Sequence, residues 1–219
     1  MKIVIIGAGS VGTNLHHALE SKGIRAELIH ARPLTANPPT AEPIPQADVY
    51  IYAIADHALR EVISKVYAPK ALHLHTSGSM PIEVFGEDKP HAGVLYFFQS
   101  FSREVLIEDW SGIPCIIEGR NIDDIAAIYS LAQCLTSRIY EAGQHDRERL
   151  HIAGIFANNY SNLMYRIAAE VLKLPSAVMR SFFAVTVVRC LMYFFSESAI
   201  SLKRMARSPI SSLFLTTAR

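Results

Sequence analysis

The residues with the clearest chemical meaning form a glycine-rich run near the N-terminus. They are Gly7, Ala8, Gly9, Ser10, Val11 and Gly12, directly behind an apolar segment at residues 2–6. In a G-x-G-x-x-G run, Gly7 makes a tight turn, Gly9 lets the backbone approach a pyrophosphate, and Gly12 lets a helix pack closely on the strand. Backbone N–H groups and the helix dipole hold the anion. The run predicts dinucleotide binding; the alternative is a glycine-rich turn without a ligand.

Four polar side chains further along the chain are candidates for moving a proton or holding a substrate. His75 and Ser77 are expected at the end of a strand, and His151 and Asn159 on a helix. Hydride transfer to a C=O or C=N carbon develops negative charge on the heteroatom, which a proton donor or a hydrogen-bonding clamp must meet. A histidine titrates near neutral pH and suits proton transfer, whereas an asparagine can hold a carbonyl oxygen without titrating.

We therefore expect His151 to act as the acid/base catalyst, with Ser77 and Asn159 orienting the substrate. His75 is either a further catalytic group or a structural residue hydrogen-bonded at the strand end. Tyr96 is expected to belong to the core. The spacing of the cysteines is not typical of a metal site, and no metal is expected.

The residue types at the end of the second predicted strand help to distinguish NAD(H) from NADP(H) as the ligand. A carboxylate that grips an NAD ribose is expected about 20 residues after the glycine run. The segment at residues 25–32 ends instead in His30 and Arg32. Because a carboxylate repels a 2′-phosphate and a guanidinium binds one, the segment favours NADP(H). Alternatively, Arg32 is a solvated surface charge and His30 merely a strand-end residue.

The elements that must position these residues alternate between strands and helices. Strands are predicted at residues 2–6, 25–32, 49–54, 71–76, 93–97, 113–118 and 137–141. Helices are predicted after the glycine run, with Gly23 as the stop, and at residues 57–66 and 122–134. Five prolines between residues 33 and 48 predict a loop. The alternation predicts an α/β fold with a Rossmann-type doubly wound parallel sheet. Its strand ends bring together the glycine run, Ala55 as a cofactor-binding residue, Asp56 as a helix N-cap, and residues 75–79.

The pattern changes at Gln144, where one long helix is predicted up to Leu172. We therefore expect a Rossmann domain over residues 1–143 and a smaller α-helical domain over residues 144–219. On this helix His151, Asn158 and Asn162 form one polar stripe. The stripe is either a hydrogen-bonding seam or the substrate wall of a cleft between domains.

Composition narrows the class of protein further. The chain has 219 residues, 50% of them hydrophobic, and a formal net charge of +1, which gives no case for nucleic acid or an anionic membrane as partner. Its three cysteines suggest no disulfide framework. No charged leader precedes an apolar segment, so no signal peptide is expected and the cytoplasm is the expected compartment.

Four segments carry a resemblance to a known family. They are the glycine run, residues 74–79 (Leu-His-Thr-Ser-Gly-Ser), residues 96–101 (Tyr-Phe-Phe-Gln-Ser-Phe), and residues 150–153 (Leu-His-Ile-Ala) with Asn159. The chain resembles a bacterial family of Rossmann-like proteins with a C-terminal domain of unknown function, labelled NADP oxidoreductases of the deazaflavin-dependent type. The family is similar in plan to pyrroline-carboxylate reductase, ketopantoate reductase and the β-hydroxyacid dehydrogenases. The resemblance implies an N-terminal NADP domain, an active-site cleft, and a homodimer formed through the helical domain.

The chain departs from the family in two places. The family has a proline where this chain has Phe97. After Arg180 the family continues with an acidic helical stretch and a Thr-Gly-Pro motif, whereas residues 181–219 contain no glycine, no aspartate and the single acid Glu197. Our hypothesis is that a reading-frame change truncates or alters the helical domain there. The competing idea is a membrane-facing or partner-binding tail.

These observations predict an NADP-dependent oxidoreductase that transfers hydride between NADP(H) and a small carbonyl, hydroxyacid or imine substrate. The alternative is a non-catalytic NADP-binding sensor or scaffold, which needs the glycine run but no acid/base group. A deazaflavin as second substrate would require a further flat apolar pocket.

Overall fold

A computed structural model describes residues 1–35 and 44–173 of the chain. It divides into two compact units, Met1–His151 and a second unit that begins at Ile152. The first unit thus extends to His151, whereas the sequence predicts a domain boundary at residues 143/144. Cys190 and the predicted change of sequence after Arg180 lie outside the described residues.

Strands and helices alternate along the first unit. The strands are β1 (Ile3–Ile6), β2 (Ala26–Ile29), β3 (Val49–Tyr52), β4 (Leu72–His75), β5 (Ala92–Phe97), β6 (Cys115–Gly119) and β7 (Ile139–Glu141). The helices are α1 (Ser10–Ser21), α2 (Arg32–Thr35), α3 (Asp56–Ser64), α4 (Ile122–Gln133) and α5 (Gln144–Gly154), with a 3₁₀ turn at Ile82–Phe85. The short helix α2 corrects the sequence prediction, because it occupies the start of the predicted proline-rich loop. Pro33 is tolerated there because the first helical residues donate no intrahelical bond.

The strands form one sheet in the order β2-β1-β3-β4-β5-β6-β7. Because β1 lies between β2 and β3, the direction of winding reverses beside β1, and ligands bind in such a crevice at the carboxyl ends of the strands. The register places Ile6 opposite both Ile29 and Tyr52. The segments that follow these three residues therefore leave the sheet side by side.

The far side of the sheet departs from the predicted all-parallel arrangement. Strand β6 runs antiparallel to β5, with Phe97 opposite Cys115, whereas the other neighbouring strands pair in parallel. The connection between two antiparallel neighbours starts and finishes at the same end of the strands. Residues 98–114 therefore connect β5 to β6 at the carboxyl end of β5, the same end of the sheet as the glycine run.

The core fills both faces of the sheet. Alternate residues of β1 point to opposite sides, Ile3 and Ile5 into one apolar cluster and Val4 and Ile6 into another. Helices α1 and α4 cover the first cluster, and α3 with the 3₁₀ turn covers the second. Helix α1 contributes Leu15 and Leu19, as their spacing predicts, and ends before a glycine at position 23 with φ of +74°. This is the doubly wound α/β fold that the sequence predicts.

The described part of the second unit is helical. A π-helical segment, Ile155–Tyr160, is followed by α6 (Ser161–Leu172). Asn158 and Asn162 are exposed, and the Asn162 amide donates to the Asn158 carbonyl oxygen at 2.8 Å. None of the helices described for residues 1–35 and 44–173 combines the length and apolarity that a membrane crossing requires.

Candidate functional site

A cavity of about 860 Å³ opens at the carboxyl edge of the sheet within the first unit. Its walls come from the segments that follow β1 to β5, which are the segments the fold brings to one edge. The predicted cofactor residues that line it are Gly7, Ala8, Gly9, Ser10, Val11, His30, Arg32 and Ala55. The cavity also reaches two predicted catalytic residues, Ser77 and His151. One cavity thus connects the predicted nucleotide site with the predicted chemistry.

The glycine run has the close backbone packing that its spacing predicts. Gly7 adopts φ of +118°, and a Cβ there would lie 2.3 Å from the carbonyl oxygen of Ala53. A Cβ at Gly12 would lie 1.8 Å from the carbonyl oxygen of Gly7. At Gly9 the nearest atom would be 3.9 Å away, so this position is open. Gly7 and Gly12 therefore serve the fold, and Gly9 leaves space above the turn.

The start of α1 suits an anion. Its N-cap is Gly9, which provides no side-chain cap, and the first turn contains no acid. The N–H of Thr13 already bonds the carbonyl oxygen of Gly9, so the N–H groups before it, from Ser10 to Gly12, precede the helical hydrogen-bond ladder. These donors and the helix dipole fit a diphosphate.

Tyr96 and His151 form a hydrogen-bonded pair in the wall of the cavity. The Tyr96 hydroxyl lies 2.9 Å from His151 Nδ1, and the rings meet edge to face with centroids 5.7 Å apart. Burial raises the pKa of Tyr96 to about 12, so its phenol is protonated at neutral pH. A Cβ at Gly78 would lie 2.6 Å from the imidazole, so the glycine provides room for this ring.

Tyr96 has a larger part in the site than the sequence predicts. It is 9% exposed and belongs to an apolar cluster, as expected of a core residue. Its hydroxyl nevertheless meets His151, and the residue lines the cavity. Its place near the carboxyl end of β5 is the signal that could have revealed this.

Arg147 holds α5 in the position that presents His151. Its side chain is fully buried, and its guanidinium donates to the Glu118 carboxylate and, at 2.6 Å, to the carbonyl oxygen of Met80. Residues four apart share one helix face, so the anchoring of Arg147 also directs His151. The distant partner Glu118 explains why sequence spacing alone does not reveal this arrangement.

Ser77 organises the turn after β4. Its Oγ accepts hydrogen bonds from the backbone N–H groups of Ser79 and Met80, each at 3.1 Å. Ser79 Oγ in turn donates to the Asp56 carboxylate at 2.6 Å. Asp56 therefore does not cap α3 as predicted: the N-cap is Ala55, without a side-chain bond. The nearby Ser79 hydroxyl engages its carboxylate instead.

His75 is buried rather than presented to the cavity. It is 0% exposed, its ring stacks on Phe85, and its Nδ1 accepts a hydrogen bond from the Ser77 N–H at 3.2 Å. Burial, assisted by the Arg147 charge, lowers its pKa to about 3. It is absent from the residues that line the cavity. These observations favour the structural alternative for His75.

The buried neutral His75 makes stability depend on pH. Its imidazole gains a proton near pH 6.5 when unfolded but only near pH 3 when folded. Between these values the unfolded state binds more protons, so the free energy of unfolding falls as pH falls, by about 1.4 kcal/mol per pH unit from this group. Between pH 6.5 and pH 4, the free energy of unfolding of His75→Gln, measured by denaturant titration, should change less with pH than that of the parent. His57→Gln, at an exposed histidine, is the control; equal slopes for parent and His75→Gln would contradict the prediction.

Asn159 lies in the π-helical segment of the second unit and is exposed. Its predicted role toward a substrate stays a prediction. His30 and Arg32 are also exposed, on the segment that follows β2. The lining residues that were not predicted as site residues include the polar side chains of Gln99, Arg103 and Ser79. Among the described residues no cluster of His, Cys, Asp or Glu could hold a metal ion.

The fold and the cavity define a Rossmann-type dinucleotide-binding protein. A family model for a domain of unknown function, DUF2520, matches residues 113–202, a stretch that extends past Arg180. The chain is 30% identical to the putative NADP oxidoreductase BF3122 from Bacteroides fragilis, with a TM-score of 0.73 over 95% of this chain and 92% of that one. The chain therefore belongs to this family of Rossmann-like NADP oxidoreductases.

Two more distant structures share the fold. A reductive aminase from Aspergillus terreus in complex with NADPH and ethyl-5-oxohexanoate is 13% identical, with a TM-score of 0.65 over 93% of this chain and 77% of that chain. An imine reductase from Myxococcus stipitatus in complex with NADP⁺ is 12% identical, with a TM-score of 0.61 over 94% and 77%. No curated protein matches the sequence.

Proposed function

We propose that this chain transfers hydride between NADP(H) and a small carbonyl, hydroxyacid or imine substrate. The observation that carries the proposal is the single cavity lined by both the glycine run and the hydrogen-bonded pair Tyr96–His151. The cofactor supplies or accepts the hydride when bound. The chain's own residues bind it, orient the substrate and handle the proton.

The described residues fit the two anionic parts of NADP(H), the diphosphate and the 2′-phosphate. The open position at Gly9 and the N–H groups at the start of α1 face the space for the diphosphate. His30 and Arg32 line the same cavity after β2, where no carboxylate occurs that would repel a 2′-phosphate. Three similar structures support the same cofactor. The name of the Bacteroides fragilis relative includes NADP, and the reductive aminase and the imine reductase have NADPH or NADP⁺ bound.

His151 is the proposed acid/base group. We assign the Tyr96 hydroxyl as the donor to Nδ1, which places the exchangeable imidazole proton on Nε2, the atom proposed to exchange it with the substrate heteroatom. Ser77 and Asn159 are proposed to orient the substrate. The Ser77 hydroxyl accepts two backbone bonds and lies 3.2 Å from Ser79 Oγ, whose own proton goes to Asp56, so the Ser77 O–H donates to Ser79 and would turn from it to a substrate.

The test of this function is oxidation of NADPH by the purified chain. Absorbance of the reduced nicotinamide should fall when carbonyl compounds, or carbonyl–amine mixtures that form imines, are added. Reverse assays with hydroxyacids and NADP⁺ complete the panel. A chain that binds NADPH tightly but turns over none of these compounds would support the sensor or scaffold alternative instead.

Arg32 should set the preference for the phosphorylated cofactor. Arg32→Gln is expected to weaken NADPH binding about ten- to hundredfold and to leave NADH binding unchanged, because a guanidinium makes paired charged hydrogen bonds to a phosphate. Nicotinamide fluorescence titration of both cofactors measures this. Arg25→Gln is the control, because it removes the same charge just before β2, at the end of that strand away from the cavity. Equal weakening of NADPH and NADH would contradict the role of Arg32.

We further propose that the protein forms a homodimer through the helical domain, with a small molecule as its other partner. The support is the apolar surface of the second unit. Among the residues of this unit that the structure describes, the exposed large apolar side chains are Ile152, Phe156, Tyr160, Leu163, Met164, Ile167 and Val171. Exposed apolar side chains at this density favour burial against another surface.

The proposed compartment is the reducing cytoplasm. The cysteines within the described residues, Cys115 and Cys134, are free thiols. Cys115 is buried, and burial raises its pKa, so it behaves as a small apolar core residue. These features agree with a protein that does not depend on disulfides.

A further inference from the structure

The segment between β5 and β6 brings an unassigned cation to the cofactor site. Because these two strands are antiparallel, residues 98–114 return over the carboxyl edge of the sheet. Arg103 belongs to this segment and lines the cavity beside the glycine run. We propose that Arg103 binds the diphosphate of NADP(H), a proposal that rests on the proposed cofactor binding but not on the catalytic roles.

The guanidinium of Arg103 reaches the glycine run directly. It donates a hydrogen bond to the carbonyl oxygen of Ala8, between the first two glycines. An arginine has five N–H donors in a planar fork, so one bond to Ala8 leaves most of its donors to other acceptors. The N–H groups at the start of α1 belong to the same turn. Arg103 thus adds a full positive charge beside the position where the helix dipole already favours an anion.

The backbone next to Arg103 is held to α1 by a buried amide. Asn14 is fully buried, and its Nδ2 donates to the carbonyl oxygens of Ser10 and Ser102, at 2.9 and 2.6 Å. Its Oδ1 accepts a hydrogen bond from the N–H of Ile107 at 2.9 Å. One side chain of the nucleotide-binding helix therefore fixes the segment on both sides of Arg103. This preorganisation lowers the entropy cost of engaging an anion.

In this proposal Arg103 and Arg32 bind different phosphate groups of the cofactor. Arg32 follows β2 and is assigned to the 2′-phosphate, which only NADP(H) carries. Arg103 touches the glycine run and serves the diphosphate, which NADP(H) and NAD(H) share. Loss of Arg103 should therefore weaken both cofactors, whereas loss of Arg32 should weaken one.

The experiment measures equilibrium dissociation constants of the full chain for NADPH, NADH and ADP-ribose. Arg103→Gln is expected to weaken all three about ten- to hundredfold, since each carries the diphosphate. Arg103→Lys should recover part of the loss through its charge. The dependence of affinity on salt should be shallower for Arg103→Gln than for the parent, because one charge contact is lost. Arg25→Gln is the charge-matched control, and thermal melts establish that each variant is folded.

Four results would overturn the proposal. Unchanged affinity of Arg103→Gln for all three ligands would remove Arg103 from the site. Weakening of NADPH alone would assign Arg103 to the 2′-phosphate, and unchanged ADP-ribose affinity with weaker NADPH and NADH would assign it to the nicotinamide half. If the folded parent chain binds neither NADPH nor NADH, the proposed function fails together with this inference, an outcome distinct from an effect of the variant alone.

Discussion

Replacing His151 by glutamine is expected to lower kcat about 10²- to 10⁴-fold with any substrate that the parent chain turns over. Glutamine keeps a polar side chain of similar reach but cannot exchange a proton near neutral pH. The dissociation constant for NADPH should stay within about twofold of the parent, because the residues proposed to hold the diphosphate and the 2′-phosphate lie on other segments. Steady-state kinetics and a fluorescence titration measure the two effects separately.

Two variants make this test specific. His145→Gln changes an exposed histidine on the same helix and should leave kcat unchanged. Tyr96→Phe removes only the hydroxyl that bonds His151 Nδ1 and should lower kcat by less, about tenfold. If His151→Gln retains the parent kcat while His145→Gln does too, His151 has no acid/base role.

The second large effect is expected at Gly12. Its Cβ position lies 1.8 Å from the carbonyl oxygen of Gly7, and the backbone of Gly7 is itself packed closely against Ala53. Gly12→Ala must therefore push α1 away from β1 and β3. Overpacking of side chains alone costs about 1–3 kcal/mol, and a clash of the new methyl group with a backbone carbonyl should exceed this. We expect a loss of about 3 kcal/mol or more in the free energy of unfolding, measured by denaturant titration.

Gly9 provides the matched control for Gly12. A methyl group there would have its nearest atom at 3.9 Å, so Gly9→Ala should fold with nearly the parent free energy of unfolding. The methyl group would occupy the space proposed for the diphosphate, so NADPH binding should weaken. The two alanine variants thus separate stability from binding. Equal stability of both would show that the strand–helix contact at Gly12 relaxes without cost.

The sequence predicts those parts of the fold that depend on local pattern. The apolar runs before Gly7 and after Asp48 are buried strands, and Leu15 and Leu19 mark the buried face of α1. The direction of β6 escaped the prediction, because an apolar run such as Cys115–Gly119 reads alike for parallel and antiparallel pairing. Arg103 escaped with it, since its place at the site follows from that direction.

The candidate site shows the same limit. Ser77 and His151 are predicted as site residues from residue type and resemblance, and both line the cavity. The pairing of His151 with Tyr96 joins residues 55 positions apart and depends on how α5 docks. Asp56 was assigned to a helix cap because aspartate favours that position, but its carboxylate bonds the Ser79 hydroxyl instead. Local preference was outweighed by a partner that only the folded chain brings near.

The three hydrogen bonds of Asn14 also make the segment around Arg103 part of the folding unit of α1. If this segment opened, the buried amide would lose two of its partners and an unsatisfied polar group would remain in the core. Such a group costs about 1–3 kcal/mol, so these bonds alone lower the population of the open form roughly ten- to a hundredfold. The bonds that hold α1 in the fold would therefore also hold the proposed diphosphate site in place before any cofactor binds.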